Sequence, residues 1–192
     1  PGFLLALRKR CDENGILLLI DEVQTGIGRT GRPFAYQHEG VIPDAFSLAK
    51  ALGNGLPIGA MICSGDLAMA LPSGSHGSTF GGNLVAATAA RVVWDLATSS
   101  QMLETISTNG VWLQDELQAL QRRNGEKIVD VRGRGLLAGI EVSGDAAAIV
   151  GRCRERGLLL NLAGEKTLRL APAYVTTREQ LREGLGIIES AL

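Results

Sequence analysis

The sequence predicts an α/β fold: a front part in which helices cover a mainly parallel sheet, then a smaller α+β part. Three observations carry this. The apolar run Ile16–Ile20 stops abruptly at two acids in "LLLIDEVQTG", the pattern of a strand covered on both faces. Two more short apolar segments, "DAFSLAK" and "IGAMICS", follow between glycine-rich loops. After about Ser99 the pattern changes to a long amphipathic helix and then to strand pairs around glycines. These place a domain boundary between residues 97 and 98 of the 192, giving parts 1–97 and 98–192.

The elements follow in order. Residues 1–14 read as a helix, with Phe3, Leu4, Leu7 and Cys11 on one face and Gly15 as its stop. Ile16–Ile20 is the first strand, Asp44–Lys50 the second and Ile58–Ser64 the third, with a loop over Thr25–Gly40. The loop "PSGSHGSTFGGN" leads into a helix over Leu84–Ala97, where Ala86, Ala87, Ala89 and Ala90 predict close packing against a sheet. A long helix follows, with Leu103, Ile106, Leu113, Leu117 and Leu120 as its apolar positions and Gly110 as an interruption that costs helix propensity. "KIVDVRGRGLLAGIEV" reads as a strand pair and "DAAAIVGRCRERG" as a helix ended by Gly157. "LLLNLAGEKTLRLAPA" reads as a hairpin, before a last helix capped by Thr176 or Thr177 with Glu179 in its first turn.

Composition narrows the function classes. Hydrophobic residues make up 45% of the chain, enough for a core, and the formal net charge is -1. That balance gives no electrostatic reason to expect a nucleic acid or a membrane surface as partner. No run of about 18 apolar residues is present to span a membrane, and no signal peptide is visible. The absence of an initiator Met suggests a start other than the native one. Cys11, Cys63 and Cys153 are scattered without metal-ligand spacing, and read as reduced thiols of a cytoplasmic protein. His38 and His76 are too isolated to imply a metal.

Two strand ends and one loop carry chemistry. Asp21 closes the first strand and Lys50 the second, and in open α/β sheets sites gather at the carboxyl ends of strands. An amine at a buried strand end tends to lose its proton and becomes a nucleophile that captures a carbonyl as an imine. A carboxylate in a closed site stabilises a cation, such as a protonated pyridine nitrogen. The hydroxyls of Ser78 and Thr79, with backbone N–H groups near Gly81 and Gly82, suit a phosphate at a helix N-terminus. Together these describe a site for pyridoxal phosphate. Taken singly, each has a plainer reading: a solvated loop acid, a surface lysine and a flexible loop. "RGRG" at Arg132–Gly135 reads as a turn between strands, not as RNA-binding sequence.

The blocks "LLLIDEVQTGIGRTGRPFAYQHEGVIPDAFSLAKALGNGLPIGAM", "GSHGSTFGGN", "VRGRGLLAGIE" and "TLRLAPA" resemble the class III pyridoxal-phosphate-dependent aminotransferases of the type I fold from end to end. Within that class they are most similar to the acetylornithine/succinyldiaminopimelate subgroup. The resemblance implies that Asp21 pairs with the pyridinium nitrogen, Val23 packs on a ring face and Gln24 bonds the phenolic oxygen. It implies that Lys50 carries the cofactor and then moves the proton between the substrate carbon and C4′. Thr79, with Ser78 beside it, would meet the cofactor phosphate from the neighbouring subunit of a homodimer with a shared active site. Arg169 would hold the substrate carboxylate in two parallel hydrogen bonds.

The resemblance also implies an activity: transfer of the ω-amino group of N-acetylornithine or succinyldiaminopimelate to 2-oxoglutarate, in arginine or lysine biosynthesis. Its chains are roughly twice as long, so this one matches a carboxyl-terminal half: the end of the large cofactor domain plus the small domain. Ornithine δ- and 4-aminobutyrate aminotransferases share the "HGSTFGGN" block in part. A non-catalytic fragment serving as an oligomerisation module is the reading from a different class. A nucleotide-binding domain is excluded, because no G-x-G-x-x-G lies between a strand and a helix.

Overall fold

The computed structural model describes residues 2–192, which divide after Leu103 into two compact units. The first unit opens with α1 (Phe3–Asn14), whose C-terminus is closed by Gly15 in the left-handed conformation. Cys11 is buried, and Leu4 and Leu7 pack on a small core with Leu18, Ile20 and Val41. Phe3, expected on the same face, is instead 72% exposed, because it sits in the first turn and projects beyond that core.

Three strands form the first unit's sheet in the order β1–β2–β3: β1 (Leu19–Asp21), β2 (Ala45–Leu48) and β3 (Ala60–Cys63). β1 and β2 are parallel, with Leu19 opposite Ala45 and Asp21 opposite Ser47. β3 runs antiparallel to β2, so the sheet is mixed where a mainly parallel one was expected. The first strand is also shorter than the apolar run. The Leu18 N–H donates to the Asp44 carboxylate at 2.7 Å instead of entering the ladder. Nor is the run covered on both faces, since Ile16, Leu17 and Leu19 are 52–61% exposed.

Between β1 and β2 the chain turns through residues 23–34 and a 3-10 segment, Ala35–Glu39. Phe34, Tyr36, Phe46 and Trp94 cluster there, with ring centroids 4.7–5.6 Å apart. A second 3-10 segment, Lys50–Leu52, follows β2. A short helix, α2 (Gly65–Ala68), capped by Ser64, follows β3 where no element was expected from the sequence. Helix α3 covers Leu84–Ala97 as expected; Asn83 caps it, accepting the Ala86 N–H at 2.9 Å. Its small residues pack against the Lys50–Leu52 segment, with Ala86, Ala90 and Ala97 buried.

Helix α4 (Ser100–Arg123) runs unbroken, with Ile106, Leu113, Leu117 and Leu120 at 0–1% exposure. Gly110 does not interrupt it. A Cβ there would come within 2.8 Å of the Gly135 backbone, so its missing side chain admits a turn. That turn joins β4 (Ile128–Arg134) to β5 (Leu137–Val142). With β6 (Asn161–Ala163) and β7 (Thr167–Leu170) they make an antiparallel sheet ordered β4–β5–β7–β6. Helix α5 (Ala146–Glu155), capped by Asp145, packs on β6, β7 and α6 (Arg178–Ala191). Thr177 caps α6 through a reciprocal box with Gln180. The second core, including Ile140, Leu168 and Ile188, is almost wholly sealed at 0–1% exposure.

Candidate active site

Parallel pairing puts the carboxyl ends of β1 and β2 side by side, and this places Asp21 and Lys50 at the same end of the first unit's sheet. Asp21 is the last residue of β1 and lies opposite Ser47. Lys50 stands two residues beyond the end of β2. The strand stops at Leu48 because Lys50 adopts φ +44°, a left-handed backbone that cannot extend a strand and is strained for a residue with a Cβ.

Asp21 Oδ1 accepts two hydrogen bonds, from the Val23 N–H at 2.9 Å and the Ser47 hydroxyl at 3.1 Å. The carboxylate is thereby fixed while its other oxygen stays free of hydrogen bonds among the described residues. Lys50 enters no ion pair among the described residues. Both side chains are exposed, which corrects the expectation of a buried amine and a buried acid. The first unit's strand ends are open in this chain. The donor set fits pyridoxal phosphate all the same: an oriented carboxylate oxygen for a ring N–H, and an unpaired primary amine for an aldehyde carbon.

Val23 and Gln24 occupy the turn directly after Asp21, Val23 half-buried and Gln24 exposed. Ser78 and Thr79 lie elsewhere, in the exposed loop 72–83. The Ser78 hydroxyl accepts the Gly81 N–H at 2.9 Å, so one donor expected for a phosphate is used inside the loop. The first turn of α3 begins only at Leu84 and is closed by Asn83. Ser78 and Thr79 therefore do not form a helix N-terminal cradle.

In the second unit, Arg169 is half-buried in β7, opposite Gly139 of β5 and Asn161 of β6. It borders an apolar cavity of about 190 Å³, with Leu113, Leu158, Gln180 and Leu185 among the lining residues. Arg132 on β4 is held by Asp130 at 2.7 Å, Glu141 at 2.8 Å and the Thr167 hydroxyl at 3.1 Å.

Two residues of the Asp21 surroundings were not foreseen. Ser47 supplies a hydroxyl to Asp21, and Glu22 is 1% exposed beside it. The "S" of "DAFSLAK" becomes informative only once the register is known. No metal-type cluster occurs among the described residues, and no helix there is long and apolar enough to cross a membrane.

Comparison with known proteins agrees over the full length. The family model "Aminotransferase class-III" matches residues 1–192. An acetylornithine aminotransferase of Myxococcus xanthus is 49% identical over 94% of this chain and 45% of its own. That of Caldanaerobacter subterraneus is 43% identical over 100% of this chain and 49% of its own. Among solved structures, N-acetylornithine aminotransferase from Stenotrophomonas maltophilia superposes with TM-score 0.87 at 38% identity, covering 99% of this chain and 50% of that one. Ornithine aminotransferase from Plasmodium yoelii gives TM-score 0.92 at 33% identity, covering 99% and 52%. The chain spans about half the length of the curated relatives it matches.

Proposed function

The chain belongs to the class III aminotransferases, which depend on pyridoxal phosphate, and from that premise we propose that the whole protein moves the ω-amino group of N-acetylornithine to 2-oxoglutarate. The observation that carries the chemistry is the pairing of Asp21 with Ser47, which sets Asp21 and Lys50 at one end of neighbouring parallel strands. The amino donor is supported by relatives named acetylornithine aminotransferase at 49% and 43% identity, above the 33% of the ornithine aminotransferase. This reading sets the protein in arginine biosynthesis, in the cytoplasm.

When bound, the cofactor supplies a ring that drains electrons from the carbon losing its proton. Asp21 would hold a proton on the ring nitrogen, and Gln24 would donate to the phenolic oxygen while Val23 would pack on a face. The Lys50 Nζ would hold the cofactor through its aldehyde carbon, and the freed amine would then carry the proton between the amine-bearing carbon of the substrate and C4′. Arg169 grips a substrate carboxylate, which fixes the C–H bond to be cleaved. Ser78 and Thr79 serve a phosphate of the neighbouring subunit in a homodimer, a use that suits their exposed loop. Residues 1–97 then belong to the large cofactor domain and 98–192 to the small one.

The test has two arms. Borohydride treatment of the whole protein loaded with pyridoxal phosphate, followed by peptide mass mapping, is expected to put the reduced adduct on Lys50. An adduct on another lysine overturns that role. Glutamate formation from 2-oxoglutarate is expected with N-acetylornithine; formation with ornithine but not its N-acetyl form overturns the donor.

A further inference from the structure

Glu22 is the single charged side chain that the described residues bury, at 1% exposure. Its neighbours Asp21, Val23 and Gln24 are the residues assigned to the cofactor, yet nothing assigns Glu22 itself a part. A carboxylate sealed from water is costly unless its oxygens are satisfied. Here they are: one accepts a short hydrogen bond from the Thr25 hydroxyl, the other the Tyr36 N–H at 3.0 Å. The Glu22 backbone is engaged as well. Its N–H donates to the Ser47 carbonyl at 3.0 Å, and its own carbonyl accepts the Gly26 N–H at 2.9 Å.

These bonds tie the start of the loop between β1 and β2 to Tyr36 in its 3-10 segment. Tyr36, held through its N–H, packs its ring 5.3 Å from that of Phe46 on β2. Phe46 precedes Ser47, the residue whose hydroxyl holds Asp21. At the other end, a Cβ on Gly26 would lie 2.9 Å from Leu48, so the turn after Gln24 is pressed on the same strand. Burial, and then the Glu22 charge, push the Tyr36 phenol up.

We propose that Glu22 is a positioning residue: its buried carboxylate clamps the loop from Thr25 to Tyr36 so that Asp21, Val23 and Gln24 hold their places at the strand end. The proposal rests on the cofactor reading above. Replacing the acid by an amide takes away one acceptor oxygen and the charge; removing the Thr25 hydroxyl takes away one donor and leaves the acid in place.

The experiment uses the whole protein as Glu22→Gln, Thr25→Val and Thr25→Ser. It measures the Kd for pyridoxal phosphate, the pH midpoint of the bound cofactor's visible band, and amide hydrogen exchange at Val23 without cofactor. Glu22→Gln and Thr25→Val are expected to weaken cofactor binding about tenfold, the effect of one lost hydrogen bond to a charged group. They also shift the midpoint and speed exchange at Val23. Thr25→Ser, which keeps the hydroxyl, stays within about twofold of the unmodified protein. Unchanged Kd, midpoint and exchange in both weakened variants, even with a lowered melting temperature, overturn the positioning role alone. Failure of the unmodified protein to bind pyridoxal phosphate overturns the cofactor reading and this role with it.

Discussion

In Asp21 the fold holds one carboxylate oxygen and leaves the other open among the described residues. Oδ1 is bound by the Val23 N–H and the Ser47 hydroxyl, and these fix the plane of the carboxylate. Asp21→Asn keeps Oδ1 as the acceptor for both bonds and removes the charge and the second acceptor oxygen. If Asp21 acts by holding a proton on the ring nitrogen, this variant loses about a hundredfold or more in kcat, the scale of a lost electrostatic contact in a transition state. Steady-state transamination by the whole protein measures it, and a loss below about twofold removes Asp21 from the mechanism. Asp21 was legible in the sequence because an aliphatic run ended on an acid. Ser47 and Glu22 were not, because a serine in a strand and a second acid beside a first signal nothing until register and burial are known.

A second residue-scale prediction concerns pH. Asp44 joins Arg8 of α1 at 2.7 Å and takes the Leu18 N–H, and both hold its carboxyl below the ordinary value, Arg8 more strongly. A carboxylate whose folded pKa is depressed stabilises the fold above its unfolded value, about 3.9. That contribution is lost as pH falls from there through the folded pKa. Denaturant midpoints of the chain between neutral pH and pH of about 3 are therefore expected to fall less steeply in Asp44→Asn than in the parent. Parallel acid limbs would show that the pair contributes nothing.

At the scale of elements, helix boundaries were legible and strand boundaries less so. Helix α3 covers Leu84–Ala97 as the sequence predicted, and the Asn83 cap that the structure adds is local in sequence. β1 begins late because the Leu18 N–H goes to Asp44, 26 residues away, which no local pattern reveals. Gly110 was misread for the same reason. Its partner is Gly135, in a turn distant in sequence. This yields two predictions of opposite sign. Gly110→Ala should gain helix propensity but destabilise the chain by about 1–3 kcal/mol net, since the new Cβ meets backbone that cannot yield. Gly151→Ala, in α5 with nothing within 4 Å of the added Cβ, should stabilise it by about 0.5–1 kcal/mol. Chemical denaturation of both variants checks the pair; equal shifts would mean that propensity alone governs both sites.

At the scale of the whole molecule the two units differ in how completely their apolar residues are covered. The large hydrophobic residues left exposed lie mostly in the first unit: Ile16, Leu17 and Leu19 at β1, Met61 and Ile62 on β3, and Leu84 at the start of α3. β1 is moreover an edge strand, paired on one side only among the described residues. An apolar edge of this kind pairs readily with another chain. The curated relatives are about twice as long as the stretch matched here, so a surface of this kind is where further polypeptide has room to pack. The 192-residue chain alone is therefore expected to self-associate, in sedimentation velocity at micromolar concentration, and to bind an apolar dye. Leu19→Lys, which puts a charge on the exposed edge, should shift it towards monomer with little change in stability, because Leu19 is already 61% exposed. A monomeric, dye-silent parent would mean that the apolar surface of the first unit needs no cover from another chain.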